Sequence, residues 1–106
     1  MASGNGRPGY TVEFQPRALE QLKRLRDQAI AGRVAVSFTA DIRQVVATLK
    51  TDPVGWGDSL NDYKTLEMVR RRGQSPFVYV YYSFHPKLQT VYVQGFQINP
   101  YGPLAG

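Results

Sequence analysis

An α+β domain is predicted, an antiparallel meander sheet with two helices on one face, and three observations predict it. Two alternating runs of β-branched and aromatic residues, Phe77 to Phe84 and Thr90 to Phe96, flank a His-Pro-Lys turn and read as a β-hairpin. Apolar residues recur at helical spacing from Ala18 to Ile30 and again from Ile42 to Leu49. One further alternating run, Tyr10 to Phe14, precedes both helices. The predicted order is strand, helix, helix, strand, strand, strand, with both helical stripes buried against one face of the sheet.

Each element has a local reason. Tyr10, Val12 and Phe14 alternate with Thr11 and Glu13, as in a half-buried strand. Pro16 suits a first helical turn, where its missing N–H costs nothing. Ala18, Leu22, Leu25 and Ala29 then form a stripe widened by Leu19 and Ile30, and Gly32 suits the C-cap. Ile42, Val45, Val46 and Leu49 carry the second helix, which ends before Asp52-Pro53; Val34, Val36 and Phe38 are its start or its lead-in. Val54 to Asp62 reads as a loop, with Trp56 between Gly55 and Gly57 as an anchor against the core. Tyr63 to Arg72 is the second strand, and the hairpin supplies the third and fourth. Residues 1–9 read as a flexible leader, 10–99 as one domain and 100–106 as a tail.

A loop of His85-Pro86-Lys87-Leu88 sets Tyr82 opposite Val91, Val80 opposite Val93 and Phe77 opposite Phe96, which separates a valine face from a tyrosine face. A loop of Gly73-Gln74-Ser75 in turn sets Met68 beside Val80 and Leu66 beside Tyr82. Glu67, Val69 and Arg71 then share the open face with Tyr79, Tyr81 and Tyr92. Phe77 and Phe96 fall on that face too, giving it enough apolar area to expect a covering partner.

The chain has 106 residues and a formal charge of +5, a balance that suits nucleic acid, an anionic surface or an acidic protein partner. It has no cysteine, which excludes disulfides, thiolate metal sites and cysteine nucleophiles. With one histidine and no acidic cluster, neither a metal nor another cofactor is implied. No apolar run approaches a membrane span and no signal-peptide core is visible, so a cytoplasmic protein is expected.

Arg70, Arg71 and Arg72, with Lys64 and Lys87, can bind phosphates through charge-assisted hydrogen bonds, or the arginines can simply keep an edge strand soluble. His85 is the one side chain that titrates near neutrality without help, although a turn position before Pro86 also fits an idle residue; Lys87 shares that turn. Tyr79, Tyr81 and Tyr92 can stack on bases or cover a partner protein, including a second copy of the chain.

The layout resembles the RelE/ParE toxin superfamily from Tyr10 to about Ile98. The resemblance is carried by Tyr10-Thr-Val-Glu-Phe followed by Pro16-Arg-Ala-Leu-Glu-Gln-Leu, by Leu49-Lys-Thr-Asp-Pro53, and by Val80-Tyr-Tyr82 with Val91-Tyr-Val93. It implies the toxin of a type II toxin–antitoxin system, held by a cognate antitoxin and cutting messenger RNA on the ribosome, or alternatively a non-catalytic relative such as a DNA gyrase inhibitor or a non-toxic partner-binding module. By the same resemblance Arg71 would stabilise the reacting phosphate, and His85 or the C-terminal Tyr101 would move protons. The family's usual arginines at the start of the third strand and after the fourth are replaced here by Pro76-Phe77 and Ile98-Asn99.

Overall fold

A computed structural model describes residues 9–63 and 68–105. Their elements are β1 (Thr11–Phe14), α1 (Pro16–Ala31), α2 (Ala35–Thr51), α3 (Pro53–Trp56), β2 (Asp58–Tyr63), β3 (Met68–Gln74), β4 (Val78–His85) and β5 (Thr90–Ile98). The class is α+β, as expected, but the sheet differs from the expected meander. It has five strands in the order β1-β5-β4-β3-β2, and β1 runs parallel to β5 while the other pairs are antiparallel. The expected loop from Val54 to Asp62 instead contributes to the short α3 and to β2. The expected strand from Tyr63 to Arg72 is divided between β2 and β3, and Lys64, Leu66 and Glu67 lie outside the described residues. So does the expected leader, apart from Gly9.

The helices form for the reasons read from their spacing. Ala18, Leu25 and Ala29 of α1 and Phe38, Val45 and Leu49 of α2 are buried on one side of the sheet. Gly32 caps α1, its N–H donating to Gln28 O, while Arg33 takes the left-handed turn at φ 62° and donates its N–H to Ile30 O at 3.1 Å. Val36 is exposed and Phe38 buried, so the segment around them follows helical spacing as the start of α2. Facing the helices are Val78, Val80, Tyr82, Phe84, Val91 and Val93, the valine side.

Register corrects the expected faces in two places. The hairpin loop keeps four residues but lies one position further on, closed by His85 opposite Thr90 with Gln89 at φ 51°. Each pair therefore differs by two from expectation, Phe84 meeting Val91 and Tyr82 meeting Val93, which preserves the faces. Beyond Val93 the register shifts, with Tyr82 opposite Val93 but Tyr81 opposite Gly95, so Gln94 is an extra residue in β5. That bulge turns Phe96 into the core instead of onto the open face. Phe77 is buried as well, its ring edge-on to Phe38 of α2 at 5.6 Å.

The second correction concerns β3, which continues through Gly73 and Gln74, placing Val69 opposite Phe84, Arg71 opposite Tyr82 and Gly73 opposite Val80. The displacement is odd, so it exchanges faces. Val69 packs against the core, and Arg71 leaves the tyrosine face while Arg70 and Arg72 join it.

Two polar ties fix the helices and loops to the sheet. Tyr82, fully buried, accepts from Gly57 N at 3.0 Å and donates to Pro53 O at 2.6 Å. The Trp56 ring stacks on Tyr82 at 5.8 Å, which makes it the core anchor its sequence setting suggests. In the second tie, Asp41 of α2 accepts from Ser75 Oγ at 2.7 Å and from Phe77 N at 3.0 Å, clamping the β3–β4 turn. Asp41→Ala strands both donors, and urea unfolding should show a loss of about 1–3 kcal/mol. An unchanged midpoint would mean that the clamp contributes nothing.

Candidate nucleic-acid interface

The face of the sheet away from the core is set by the alternation of β3, β4 and β5. It carries Arg70 and Arg72 from β3, Tyr79 and Tyr81 from β4, and Tyr92 from β5. The Arg72 guanidinium lies over the Tyr79 ring at 4.8 Å, a cation–π contact that holds a cation at the surface without neutralising it. Tyr81 donates its hydroxyl to Gln97 Oε1 at 2.8 Å. All three tyrosines are half-buried, so their ring bodies are held by neighbours while part of each remains accessible.

At one margin this face deepens into an open cleft of about 350 Å³, where the start of α1 approaches the second half of β5. β1 pairs only with Thr90 to Val93, so β5 has no strand beside it on that edge after the bulge. Gln21 of α1 takes over there, its Oε1 accepting from Phe96 N at 2.7 Å. Arg17 and Arg70 stand on the walls of the cleft, with Tyr81, Gln94 and Gln97. Arg17 lies in the first turn of α1, which holds no acidic residue, so its charge adds to the positive end of the helix dipole. Among the described residues, Arg70 Nε and Gln94 Oε1 are enclosed without a hydrogen-bond partner. Leaving a buried group unpaired costs about 1–3 kcal/mol.

Of the residues read from the sequence as functional, the structure gathers Arg70, Arg72, Tyr79, Tyr81 and Tyr92 and disperses the rest. Arg71 faces the core side, where it donates from Nη1 to Gly57 O at 2.8 Å and lies 5.7 Å over the Phe84 ring. It fixes the corner between α3 and β2, and is not aimed at the tyrosines as expected. His85 closes the β4–β5 hairpin, its Nδ1 accepting from Leu88 N at 3.3 Å, and Lys87 is exposed in the same loop. Tyr101, with 89% of its surface exposed, follows β5 at the opposite end of the hairpin. A strand the length of β4 separates the two ends by roughly 25 Å. Arg71, His85 and Tyr101 therefore do not form one constellation. Lys64 lies outside the described residues.

Arg17, Gln21, Gln94 and Gln97 were not singled out from the sequence. The spacing Val91-x-Val93-x-x-Phe96-x-Ile98 could have revealed the bulge that places Gln94, since strict alternation fails there by one residue.

A second surface lies between the helices, a groove of about 220 Å³ floored by Leu22, Phe38 and Ile42 and edged by Leu19, Lys23 and Arg43. Leu19 is 43% exposed beside it. The only ion pairs among the described residues, Arg24–Glu20 and Arg26–Asp27, leave Lys23 and Arg43 without acidic partners.

Among the described residues no cluster of His, Asp or Glu can hold a metal ion, and no helix is long and apolar enough to cross a membrane. No protein-family model, curated protein or solved structure matches the chain.

Proposed function

We propose that the chain is a toxin of the RelE/ParE kind that grips messenger RNA on the ribosome through the polar face of its sheet. The observation that carries the reading is the gathering of Arg70 and Arg72 among Tyr79, Tyr81 and Tyr92 on one exposed face. Arginine meets phosphate oxygens in a bidentate fork, and tyrosine rings stack on unpaired bases whatever their identity. The formal charge of +5 favours the same polyanion.

The dispersal of Arg71, His85 and Tyr101 favours a second reading on the same scaffold, binding without cleavage, as in a DNA gyrase inhibitor or a non-toxic partner-binding module. In either reading the antitoxin's place is the basic-edged groove between α1 and α2, which suits the apolar stripe of an acidic amphipathic helix.

Induced expression without an antitoxin is expected to arrest growth, and Arg70→Ala with Arg72→Ala to relieve the arrest. Single-stranded RNA binding by the double variant should lose about 0.7 in salt slope for each arginine removed. Codon-specific ends in primer extension on ribosome-bound messages identify cleavage. Arrest without such ends identifies binding alone. Harmless expression sinks the toxin reading.

A further inference from the structure

The geometry points to the cleft between α1 and the bulge of β5 as a binding site for a single nucleotide unit, with its phosphate on Arg17 and Arg70 and a donor group of its sugar or base on Gln94. RNA as the source of that unit rests on the reading above; the cleft chemistry does not.

Two enclosed groups define what the ligand must carry. Arg70 Nε is a donor without an acceptor, and Gln94 Oε1 is an acceptor without a donor. Both residues line the same cleft, the two atoms themselves being closed to solvent, so a ligand meets them once the side chains turn toward it; Arg17 adds a second cation to the cleft. An anion that only accepts hydrogen bonds, such as sulfate or a carboxylate, satisfies Arg70 and leaves Gln94 unpaired. A purely neutral amide or sugar reverses the fault and leaves two guanidiniums without a counter-charge. The ligand therefore combines an anion with a hydrogen-bond donor. A nucleotide does so, joining a phosphate to ribose hydroxyls and the N–H groups of a base.

Size and lining agree. About 350 Å³ lies at the small end of ligand pockets and suits one nucleotide better than several. Tyr81 offers a ring on the wall, and its hydroxyl is already committed to Gln97 Oε1, which turns the amide nitrogen of Gln97 into a further donor. Gln21, fixed by its bond from Phe96 N, holds the bulge open from the helix side. The extra residue in β5 is thus what presents Gln94 to the cleft, and a regular strand would not.

The test is a titration of the intact protein, followed by amide chemical shifts, with inorganic phosphate, adenosine 5′-monophosphate and a short single-stranded RNA. The monophosphate should bind at least tenfold more tightly than phosphate, moving the amides of Arg70, Gln94 and Gly95. Gln94→Leu should bring the monophosphate down to the level of phosphate while phosphate itself is unchanged, and Arg17→Ala should weaken both. Equal affinities for the two ligands, no effect of Gln94→Leu, or no binding of either overturns the proposal. If RNA binds but the monophosphate does not compete with it, the cleft inference fails and the RNA reading stands. If the monophosphate binds with the Gln94 dependence and RNA does not bind, the cleft serves a free nucleotide and the RNA reading fails.

Discussion

Gly73→Ala should destabilise the protein by about 1–3 kcal/mol, among the largest effects expected of any single methyl added to this fold. A Cβ at position 73 would lie 2.2 Å from Trp56 Cζ3 and within 2.5 Å of two further ring atoms. The ring cannot swing aside cheaply, because it is stacked on Tyr82, and Tyr82 is tied to Pro53 and Gly57. Relief must come from β3 or from the α3 corner, so the indole moves. Urea unfolding should show the loss, and Trp56 fluorescence should shift toward that of a wetter ring. Full stability with an unshifted spectrum would show that Trp56 does not lie over Gly73.

The second large effect belongs to Tyr82 and is visible in alkali. Burial pushes its hydroxyl up from 10.0 to about 12, opposed in part by the Gly57 N–H it accepts and by the nearby Arg71 charge. The folded state therefore keeps a proton that the unfolded chain releases near pH 10. The stabilisation is complete below pH 10 and is lost as pH rises through about 12, by about 2–3 kcal/mol over that window. Tyr82→Phe should remove this part of the pH dependence. It should also cost about 1–3 kcal/mol at neutral pH, because Gly57 N–H and Pro53 O are left buried and unpaired. Phenolate absorbance during a pH titration checks the first expectation, and urea unfolding at neutral pH checks the second. A Tyr82 that ionises near 10.0 in the folded protein would refute the buried pair of hydrogen bonds.

How far the sequence could be read depended on parity. The helices were legible because Ala18, Leu25 and Ala29, or Val45 and Leu49, recur with a period that no nearby alternative reproduces. The valine face was legible because a register error of two leaves every side chain of β4 on its side. The identity of the outward arginines was not. In Arg70-Arg71-Arg72 a displacement of one residue exchanges the outward and inward positions, and the β3–β4 turn lies where Gly73 can admit Trp56, a contact between segments far apart in the chain. The bulge at Gln94 left a trace in spacing, since Phe96 and Ile98 are out of step with Val91 and Val93. The cleft left none, because Arg17 and Arg70 meet only after β1 has paired with β5.

That parallel pairing has a bearing on how the protein comes into being. Within this domain β1 precedes both long helices in the chain, and its neighbour in the sheet, β5, comes after every other strand; Thr11 pairs with Thr90. Until β5 emerges, α1 and α2 have no completed sheet to cover, and the loop that must close spans almost the whole domain. Contacts this distant in sequence slow folding toward the millisecond-to-second range. A chain part-way through synthesis thus carries arginines and tyrosines that are not yet gathered, and Arg70, Arg72, Tyr79, Tyr81 and Tyr92 share one face only once β5 has paired.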